Sequence, residues 1–201
     1  IYVGGVQIGR STNAGSTWSL ACQTTTFSQP NYVHSDQKEI VFMPGNNNIL
    51  FSVCDGGIYK TINSGTTWTN ISNGIHIEQI YRISSAGTDT NVIYYGQQDC
   101  ATNKLITSLA TVQEIYSGDG LQPLAHPTNS NVLFACQPYG FLYRSLDAGN
   151  SFSLASPGQC LWLTPYVMNP LNPNTMYIGS KAGTQKSYSL GAFTTWTNTS
   201  A

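Results

Sequence analysis

Residues 11–18 read STNAGSTW, and nearly the same eight residues return as TINSGTTW at 61–68 and as SLDAGNSF at 145–152. These three stretches, which we call the octets, fit one template: Ser or Thr, any residue, Asn or Asp, any residue, Gly, any residue, Thr or Ser, and an aromatic residue. Self-similarity of this kind indicates a fold assembled from repeated supersecondary units.

The spacing of the octets gives the size of the repeat. They begin at residues 11, 61 and 145, which fits units of roughly 40–50 residues with one copy lost near residue 103. One further unit leads to SYSLGAFTTW at 187–196, which we interpret as a fourth, degraded copy. A basic residue precedes every copy: Arg10, Lys60, Arg144 and Lys186.

Short strand patterns surround each octet. NNILFSVCDGGIYKT at 47–61 aligns with NSNVLFACQPYGFLYRS at 129–145, and each unit is predicted to hold four strands of about 5 to 8 residues joined by Gly, Pro and Asn turns. Four-stranded units with this period are typical of β-propeller blades, so we predict an all-β chain of four-stranded antiparallel blades.

The strand count also sets the expected extent of the blades. They are expected near 34–73, 76–117, 119–156 and 160–200, and residues 1–22 are expected to supply the last three strands of another blade. We therefore expect a segment of a larger propeller of about six to eight blades, with a small closed ring of about four or five as the alternative.

Composition excludes several function classes. Only 8% of the 201 residues are charged, the net charge is −1, and the remaining polarity comes from Asn, Ser, Thr, Gln and Gly, which favours a secreted protein. A nucleic-acid surface would need a basic patch, and insertion into a membrane would need roughly 18 consecutive apolar residues. The sequence contains neither a basic patch nor an apolar run of that length. The chain begins with Ile1, and we interpret it as a mature or cut piece.

The five cysteines contain no C-x-x-C motif, so a zinc or thioredoxin-like site is not expected. Their odd number leaves at least one thiol unpaired within the chain, and the pairing of the others is open.

The octet resembles the Asp-box, or BNR repeat, of sialidase-like and sortilin-like propellers. The resemblance implies that each octet closes the turn between the third and fourth strands of a blade, that its hydroxyl and Asn or Asp side chains bond the turn, and that its aromatic residue packs between blades. The residues given this structural role are Ser11, Asn13, Gly15, Trp18, Thr61, Asn63, Gly65, Trp68, Ser145, Asp147, Gly149 and Phe152.

Longer stretches resemble the sortilin-like, BNR-repeat propellers of Bacteroidota that are cargo of the type IX secretion system. The stretches that carry this resemblance are 33–75, 80–100, 117–152 and 164–179. The resemblance implies a secreted or cell-surface protein. Family members usually read His-x-Asp-x-His where this chain has His34-Ser-Asp36-Gln-Lys38, so metal binding is not carried over.

The strand order predicts that the turns between second and third strands, and the links between blades, lie at the end of each blade opposite the octets. We expect binding or catalytic residues at that end. Candidate ligand-binding residues there are His34, Asp36, Asp55, Tyr81, Gln98, Asp99, Asp119, Tyr139 and Trp162. Three interpretations compete: turn chemistry alone, a site that binds a glycan or a protein, and a xyloglucanase-like glycoside hydrolase.

In the hydrolase interpretation the carboxylate pair would be Asp36 and Asp119, because each is expected to begin an inner strand. Sialidase activity is not expected, because it needs three converging arginines and two of the three in this chain, Arg10 and Arg144, hold the repeat position before an octet. Calcium could use the same carboxylate oxygens, and no other cofactor is expected.

We therefore expect a non-catalytic secreted or cell-surface module that binds a glycan or a protein. The alternatives are the glycoside hydrolase and a structural protein that assembles with other chains or with the rest of a larger propeller.

Overall fold

The computed structural model describes residues 1–75, 78–181, 183–188, 190 and 195–199. The chain divides into two compact units, Ile1–Ile77 and Glu78–Ala201. Both units are built from β-strands, which confirms the all-β prediction. None of the helices in the described ranges is long and apolar enough to span a bilayer. The expected blade limits at 76 and 200, and much of the degraded fourth octet, lie outside the described residues.

The first unit holds two antiparallel sheets in which each strand pairs with the next. The three-stranded sheet consists of β1 (Tyr2–Gly4), β2 (Ile8–Arg10) and β3 (Ser19–Leu20). The four-stranded sheet consists of β4 (Gln37–Met43), β5 (Asn46–Cys54), β6 (Gly57–Thr61) and β7 (Thr69–Asn70).

The second unit holds three antiparallel sheets of four strands each, again in chain order. The first sheet consists of β8 (Ile80–Ala86), β9 (Asp89–Gln97), β10 (Thr102–Ile106) and β11 (Thr111–Tyr116). The second consists of β12 (Leu124–Ala125), β13 (Leu133–Gln137), β14 (Phe141–Ser145) and β15 (Ser153–Leu154). The third consists of β16 (Tyr166–Met168), β17 (Met176–Ser180), β18 (Gly183–Ser187) and β19 (Thr197–Asn198). The predicted four-stranded antiparallel units are therefore present.

The last strand of a sheet is shorter than predicted wherever an octet precedes it. β3, β7 and β15, which follow the three octets, have two residues each, and β19 has two residues as well. In the sheet β8–β11 no octet is present, and a single 3-10 turn at Thr107–Leu109 leads through left-handed Ala110 into a last strand of six residues.

Each octet turn is organised by one buried hydroxyl. The first residue of the octet, Thr61 in the second copy, accepts a hydrogen bond from the N–H of Gly65 at 2.9 Å and donates to Asn63 Oδ1 at 3.0 Å. Asn63 Oδ1 also accepts from the N–H of Thr67 at 2.9 Å. The octets at Ser11 and Ser145 repeat these bonds with their own residues.

Two consecutive residues of each octet have left-handed backbone angles. The glycines have φ of 82° to 92°, and the residues before them, Ala14, Ser64 and Ala148, have φ of 55° to 61°. Left-handed angles are costly for residues with a side chain. The octet bonds hold this pair in place.

Three of the aromatic residues that end these copies, Trp68, Phe152 and Trp196, pack on the sheet before their own. Trp68 is 7% exposed, and its Nε1–H donates to the carbonyl oxygen of Ala21, just after β3, at 2.9 Å. In the second unit, Trp196 Nε1–H donates to the carbonyl oxygen of Ala155, just after β15, at 2.7 Å. Phe152 packs on Tyr116 of β11, with ring centroids 4.9 Å apart.

The basic residue before each octet stands opposite an aromatic residue on the neighbouring strand. Register pairs Arg10 with Tyr2, Lys60 with Phe51, Lys186 with Tyr177 and Arg144 with Phe134. Three of the four cations lie over the ring, at 5.9, 5.7 and 5.4 Å from its centroid. Arg144 instead donates from Nη1 to the Leu190 carbonyl oxygen at 3.2 Å. These basic side chains therefore contribute to the scaffold.

All five cysteines are free thiols. Cys22 and Cys54 lie in the core of the first unit, Cys136 and Cys160 lie in a core of the second, and Cys100 is exposed. Burial raises the pKa of Cys54 to about 11 and the pKa of Cys136 to about 12. These two thiols stay protonated at neutral pH and pack as apolar groups.

We predict that Thr61→Val destabilises the chain by about 1–3 kcal/mol, because it leaves the buried N–H of Gly65 without an acceptor. Urea unfolding checks this. The control is Thr66→Val in the same turn, where the exposed hydroxyl donates only to the Asn63 carbonyl and the change should stay within about 0.5 kcal/mol. Equal losses in the two variants would contradict the role given to the Thr61 hydroxyl.

A second prediction concerns Asp147, the one acidic residue among the octets. Hydrogen bonds from the Ser151 hydroxyl first, and then from the Ser145 hydroxyl, lower the pKa of Asp147 from 3.8 to about 2. Since the folded pKa is lowered, the stabilisation is present above about pH 4 and is lost as the pH falls towards 2.

An NMR titration of the Asp147 carboxyl tests this assignment. Ser151→Ala should raise the pKa of Asp147 towards 3.8, whereas Asn150→Ala, whose side chain bonds the Asp147 carbonyl and not its carboxylate, should leave it near 2. An unchanged titration in Ser151→Ala would show that the Ser151 hydroxyl does not hold the charged carboxylate.

Candidate functional site

In the first unit, the candidate residues take part in local structure around the turn β5–β6. Asp55 forms an ion pair with Lys38, with Nζ and Oδ1 2.9 Å apart. The His34 side chain lies against Gly56, where a Cβ atom would come within 2.4 Å of His34 Cβ. Asp36 has φ of 64°, and its N–H donates to the Val6 carbonyl oxygen at 3.2 Å. These contacts give the three residues roles in holding the link before β4.

In the second unit, Asp99 and Asp119 come together. Asp99 lies in the turn β9–β10 with φ of 60°, and its N–H donates to Asp119 Oδ1 at 2.8 Å. The same turn and link are joined by backbone bonds from Ala101 N–H to the Gly118 carbonyl oxygen (2.9 Å) and from Gly120 N–H to the Gln97 carbonyl oxygen (2.8 Å). Residues 98–101 and 117–120 therefore form one fixed structure.

The expectation that Asp119 begins an inner strand is wrong. β12 begins at Leu124, and Asp119 lies in the link before it. The reason is that Gly120 and Leu121 already use their N–H groups to bond Gln97 and Cys136, on β9 and β13 respectively. The link therefore runs across the ends of two sheets before a strand starts.

Tyr81 and Trp162 form an aromatic pair between distant parts of the second unit. Tyr81 lies near the start of β8, and Trp162 lies in the link before β16. Their rings meet edge to face, with centroids 5.6 Å apart and planes at 62°. The Tyr81 hydroxyl donates to Gln98 Oε1 at 2.8 Å, which leaves the Nε2 group of Gln98 to donate elsewhere.

Tyr139 is held beside Trp162 in an unfavourable backbone conformation. It lies in the turn β13–β14 with φ of 62° and ψ of 20°, and its side chain is 57% exposed. Its N–H donates to the Trp162 carbonyl oxygen at 3.1 Å, and its own carbonyl accepts from the Cys160 N–H at 3.0 Å. Left-handed angles at a bulky residue cost of order 1–3 kcal/mol and concentrate at functional sites.

Six of the predicted site residues thus meet at the end of the second unit opposite its octet turn. We call them the loop-end cluster: Tyr81, Gln98, Asp99, Asp119, Tyr139 and Trp162. Gln137 Nε2 donates to the Ser117 carbonyl oxygen at 2.8 Å. This bond connects the turn that carries Tyr139 to the link that carries Asp119.

A buried amide donor lies directly beneath the cluster. Gln97 is 2% exposed, and its Oε1 accepts from Asn103 Nδ2 at 2.8 Å. Asn103 Nδ2 also donates to the Cys100 carbonyl oxygen at 2.8 Å, which fixes the orientation of both amides. Gln97 Nε2 has no hydrogen-bond partner among the described residues.

Sequence reasoning missed Asn103, although the signal was present. Asn103 is a buried residue within β10, at a position where an apolar side chain would be expected. A polar side chain at such a position indicates that it forms hydrogen bonds with neighbouring residues. By contrast, Gln122 donates from Nε2 to the Tyr166 carbonyl oxygen at 2.9 Å and so ties the link before β12 to β16.

The remaining expectations about chemistry have different outcomes. Asp36 lies in the first unit and Asp119 in the second, so their pairing as acid and base stays a prediction. Within the described ranges, no group of three or more His, Cys, Asp or Glu side chains is placed to hold a metal ion. A calcium site stays a prediction from sequence.

No protein-family model and no curated protein matches the chain. Solved structures do match it. An ancestral GH74 enzyme superposes with a TM-score of 0.51 at 18% identity, over 83% of this chain and 24% of the enzyme. A GH74 enzyme from Niastella koreensis gives 0.49 at 18% identity, over 97% and 35%. An auxiliary nutrient binding protein from Bacteroides thetaiotaomicron gives 0.47 at 14% identity, over 81% and 41%.

The chain therefore spans between about a quarter and two fifths of the length of these proteins. The likeness to the ancestral GH74 enzyme, together with the succession of antiparallel sheets in chain order, defines the fold: the chain is a segment of a β-propeller. At this identity the likeness concerns the fold alone.

We predict that Asp119→Ala loosens the turn at Asp99, because the Asp99 N–H loses its acceptor at 2.8 Å. Amide hydrogen exchange at Asp99 should become about fivefold to tenfold faster, which corresponds to about 1 kcal/mol. Asp119→Asn keeps a side-chain oxygen at this position and should exchange at nearly the parent rate. Unchanged exchange in Asp119→Ala would show that this hydrogen bond does not hold the turn.

Proposed function

We propose that the chain is part of a secreted or cell-surface propeller that binds a neutral glycan through the loop-end cluster and catalyses no reaction. The observation that carries this proposal is the contact of Tyr81 with Trp162, beside the amide of Gln98 and the carboxylates of Asp99 and Asp119. Aromatic rings provide a platform for the apolar faces of a sugar, and amides and carboxylates bond its hydroxyl groups.

The charges of the cluster favour a neutral ligand. The Asp119 carboxylate accepts the backbone N–H of Asp99, so two acidic residues lie side by side, and Arg82 directs Nη1 to the Tyr81 carbonyl oxygen at 3.0 Å. Sugar hydroxyl groups donate well to carboxylates, whereas the acid groups of an anionic polysaccharide would be repelled.

Two further features support a binding role. The left-handed conformation of Tyr139 presents an exposed aromatic side chain at a cost in backbone energy. The buried Nε2 group of Gln97 lacks a partner in the described part of the chain, and an unsatisfied buried donor costs about 1–3 kcal/mol. A bound oxygen, from water or from a ligand, would recover that cost.

The hydrogen bonds of the octet turns support the assignment of the chain to the Asp-box propellers. Within that class, the stretches at 33–75 and 117–152 support membership of the sortilin-like branch, whose members are cargo of the type IX secretion system. A secreted location agrees with a composition that has only 8% charged residues.

Titration calorimetry of the 201-residue chain tests the glycan proposal. Soluble xyloglucan and mixed-linkage β-glucan serve as neutral probes, and polygalacturonate as the anionic one. Binding should occur with a neutral probe, and Trp162→Ala should weaken it at least about tenfold, or 1.4 kcal/mol. The matched control is Tyr188→Ala, an exposed aromatic residue of the same unit that follows β18 at the octet end.

Three outcomes would contradict the proposal. If the chain binds none of the probes, the ligand is not a glycan of these classes. If Trp162→Ala and Tyr188→Ala weaken the affinity equally, the loop-end cluster is not the binding site. Release of reducing ends from a bound polysaccharide, abolished in Asp119→Asn, would make the protein a glycoside hydrolase.

A further inference from the structure

A polar cleft lies at the octet end of the first unit, between its three-stranded and its four-stranded sheet. The cleft has a volume of about 610 Å³, which is within the range of about 300–1,000 Å³ that is usual for ligand pockets. Arg10 and Thr12 line it from the first sheet and the octet that follows, and Phe42 and Asn48 line it from the second sheet. We call it the Arg10 cleft.

Arg10 is half-buried, and its guanidinium group has no anion beside it in the described part of the chain. Its Cζ atom lies 5.9 Å from the centroid of the Tyr2 ring. Contact with a ring leaves the five N–H donors of a guanidinium group available, and none of the described residues accepts a hydrogen bond from them. Partial burial of a charged donor group without an acceptor is unfavourable, so Arg10 favours an anion in the cleft.

Two further side chains of the cleft can donate hydrogen bonds to the same ligand. Ser64 holds Asn48 in place, because its N–H donates to the Asn48 carbonyl oxygen and its hydroxyl donates to Asn48 Oδ1, both at 2.9 Å. Since Oδ1 is the acceptor in this bond, the Nδ2 group of Asn48 is the one that can donate to a ligand. The Thr12 hydroxyl also lines the cleft and has no partner among the described residues.

Two aromatic rings form the apolar part of the cleft. The Tyr2 ring is held by a hydrogen bond from its hydroxyl to the Ser64 carbonyl oxygen at 2.8 Å. Phe42 meets it edge to face, with ring centroids 5.7 Å apart and planes at 75°, and is 45% exposed. An open ring beside convergent polar groups suits a ligand that has an apolar face and several oxygen atoms, as a sugar has.

The charges of the Arg10 cleft differ from those at the third octet. Besides the terminal amine of Ile1, Arg10 is the only charged group among the described residues that line the cleft. At the third octet, Arg144 and Asp147 line one cleft together, so a carboxylate of the chain itself is present there. The residue of the first octet that corresponds to Asp147 is Asn13, which is neutral. The Arg10 cleft is therefore positively charged and has no acidic side chain in its lining.

We propose that the Arg10 cleft is a second binding site, and that its ligand is an acidic sugar of the uronic acid class. The Arg10 guanidinium group holds the sugar carboxylate through two parallel N–H···O bonds. Asn48 Nδ2 and the Thr12 hydroxyl bond oxygen atoms of the ring, and Phe42 supports its apolar face. The Arg10 cleft lies in the first unit and shares no residue with the loop-end cluster, so either site can be present without the other.

Titration calorimetry of the 201-residue chain with linear trigalacturonate tests the proposal. The matched probe is the methyl ester of the same trisaccharide, which keeps the rings and the hydroxyl groups but removes the negative charges. The acid should bind, and the ester should bind at least about tenfold more weakly, or 1.4 kcal/mol.

Arg10→Gln removes the cation and should weaken the binding of trigalacturonate at least about tenfold. The control is Lys60→Gln, which changes the same repeat position over the Phe51 ring and lowers the net charge equally. It should change the affinity less than about twofold, because Lys60 does not line the cleft. Asn48→Asp keeps an acceptor for the Ser64 hydroxyl and places a negative charge in the cleft, so it should also weaken binding at least about tenfold. Urea midpoints close to that of the parent chain would show that the variants are folded.

Other results would overturn the proposal. If trigalacturonate does not bind, or if its ester binds equally well, the cleft does not recognise a sugar carboxylate. Equal losses in Arg10→Gln and Lys60→Gln would show attraction by net charge alone. A loss in Trp162→Ala without one in Arg10→Gln would place the acidic sugar at the loop-end cluster. Equal affinity for N-acetylphenylalanine would show that the cleft takes a carboxylate on any apolar group, and that its ligand is not a sugar.

Discussion

The buried hydroxyl at the start of each octet is the constraint on which the scaffold depends. It accepts from the glycine N–H four residues on and donates to the side chain two residues on, so a single group fixes the turn. This turn holds two consecutive residues at left-handed backbone angles and sets the direction in which the chain enters the last strand. In the copies that end in Trp68 and Trp196, the aromatic residue then packs against the preceding sheet, and its indole N–H donates to a backbone carbonyl oxygen there.

This arrangement explains how a chain with so few charges places half of its basic residues at one repeat position. The basic residue before each octet stands opposite an aromatic residue, and in three copies it lies over that ring. A cation over an aromatic face covers apolar surface with its stem and keeps its charge in solvent. The octet end of the sheets is therefore occupied by structural contacts.

Local chemistry made much of the fold predictable. Octets at regular spacing, separated by short strand patterns, indicated antiparallel units of four strands, and the strand order indicated which end of each sheet carries the candidate residues. The contacts between those residues were not predictable, because Tyr81 and Trp162 belong to different repeats and no local pattern links them. The link at Asp119 was misjudged for a similar reason, since its backbone partners on β9 and β13 are distant in sequence.

The way the carboxylates are held bears on the choice between binding and catalysis. A glycoside hydrolase needs two carboxyl groups that flank the scissile bond, one as general acid and the other as general base or nucleophile. In the loop-end cluster, one oxygen of Asp119 already accepts the N–H of Asp99, and this bond helps to join the turn β9–β10 to the following link. A carboxylate that is held in this way supports the proposed binding role, in which Tyr81 and Trp162 would supply the contact surface.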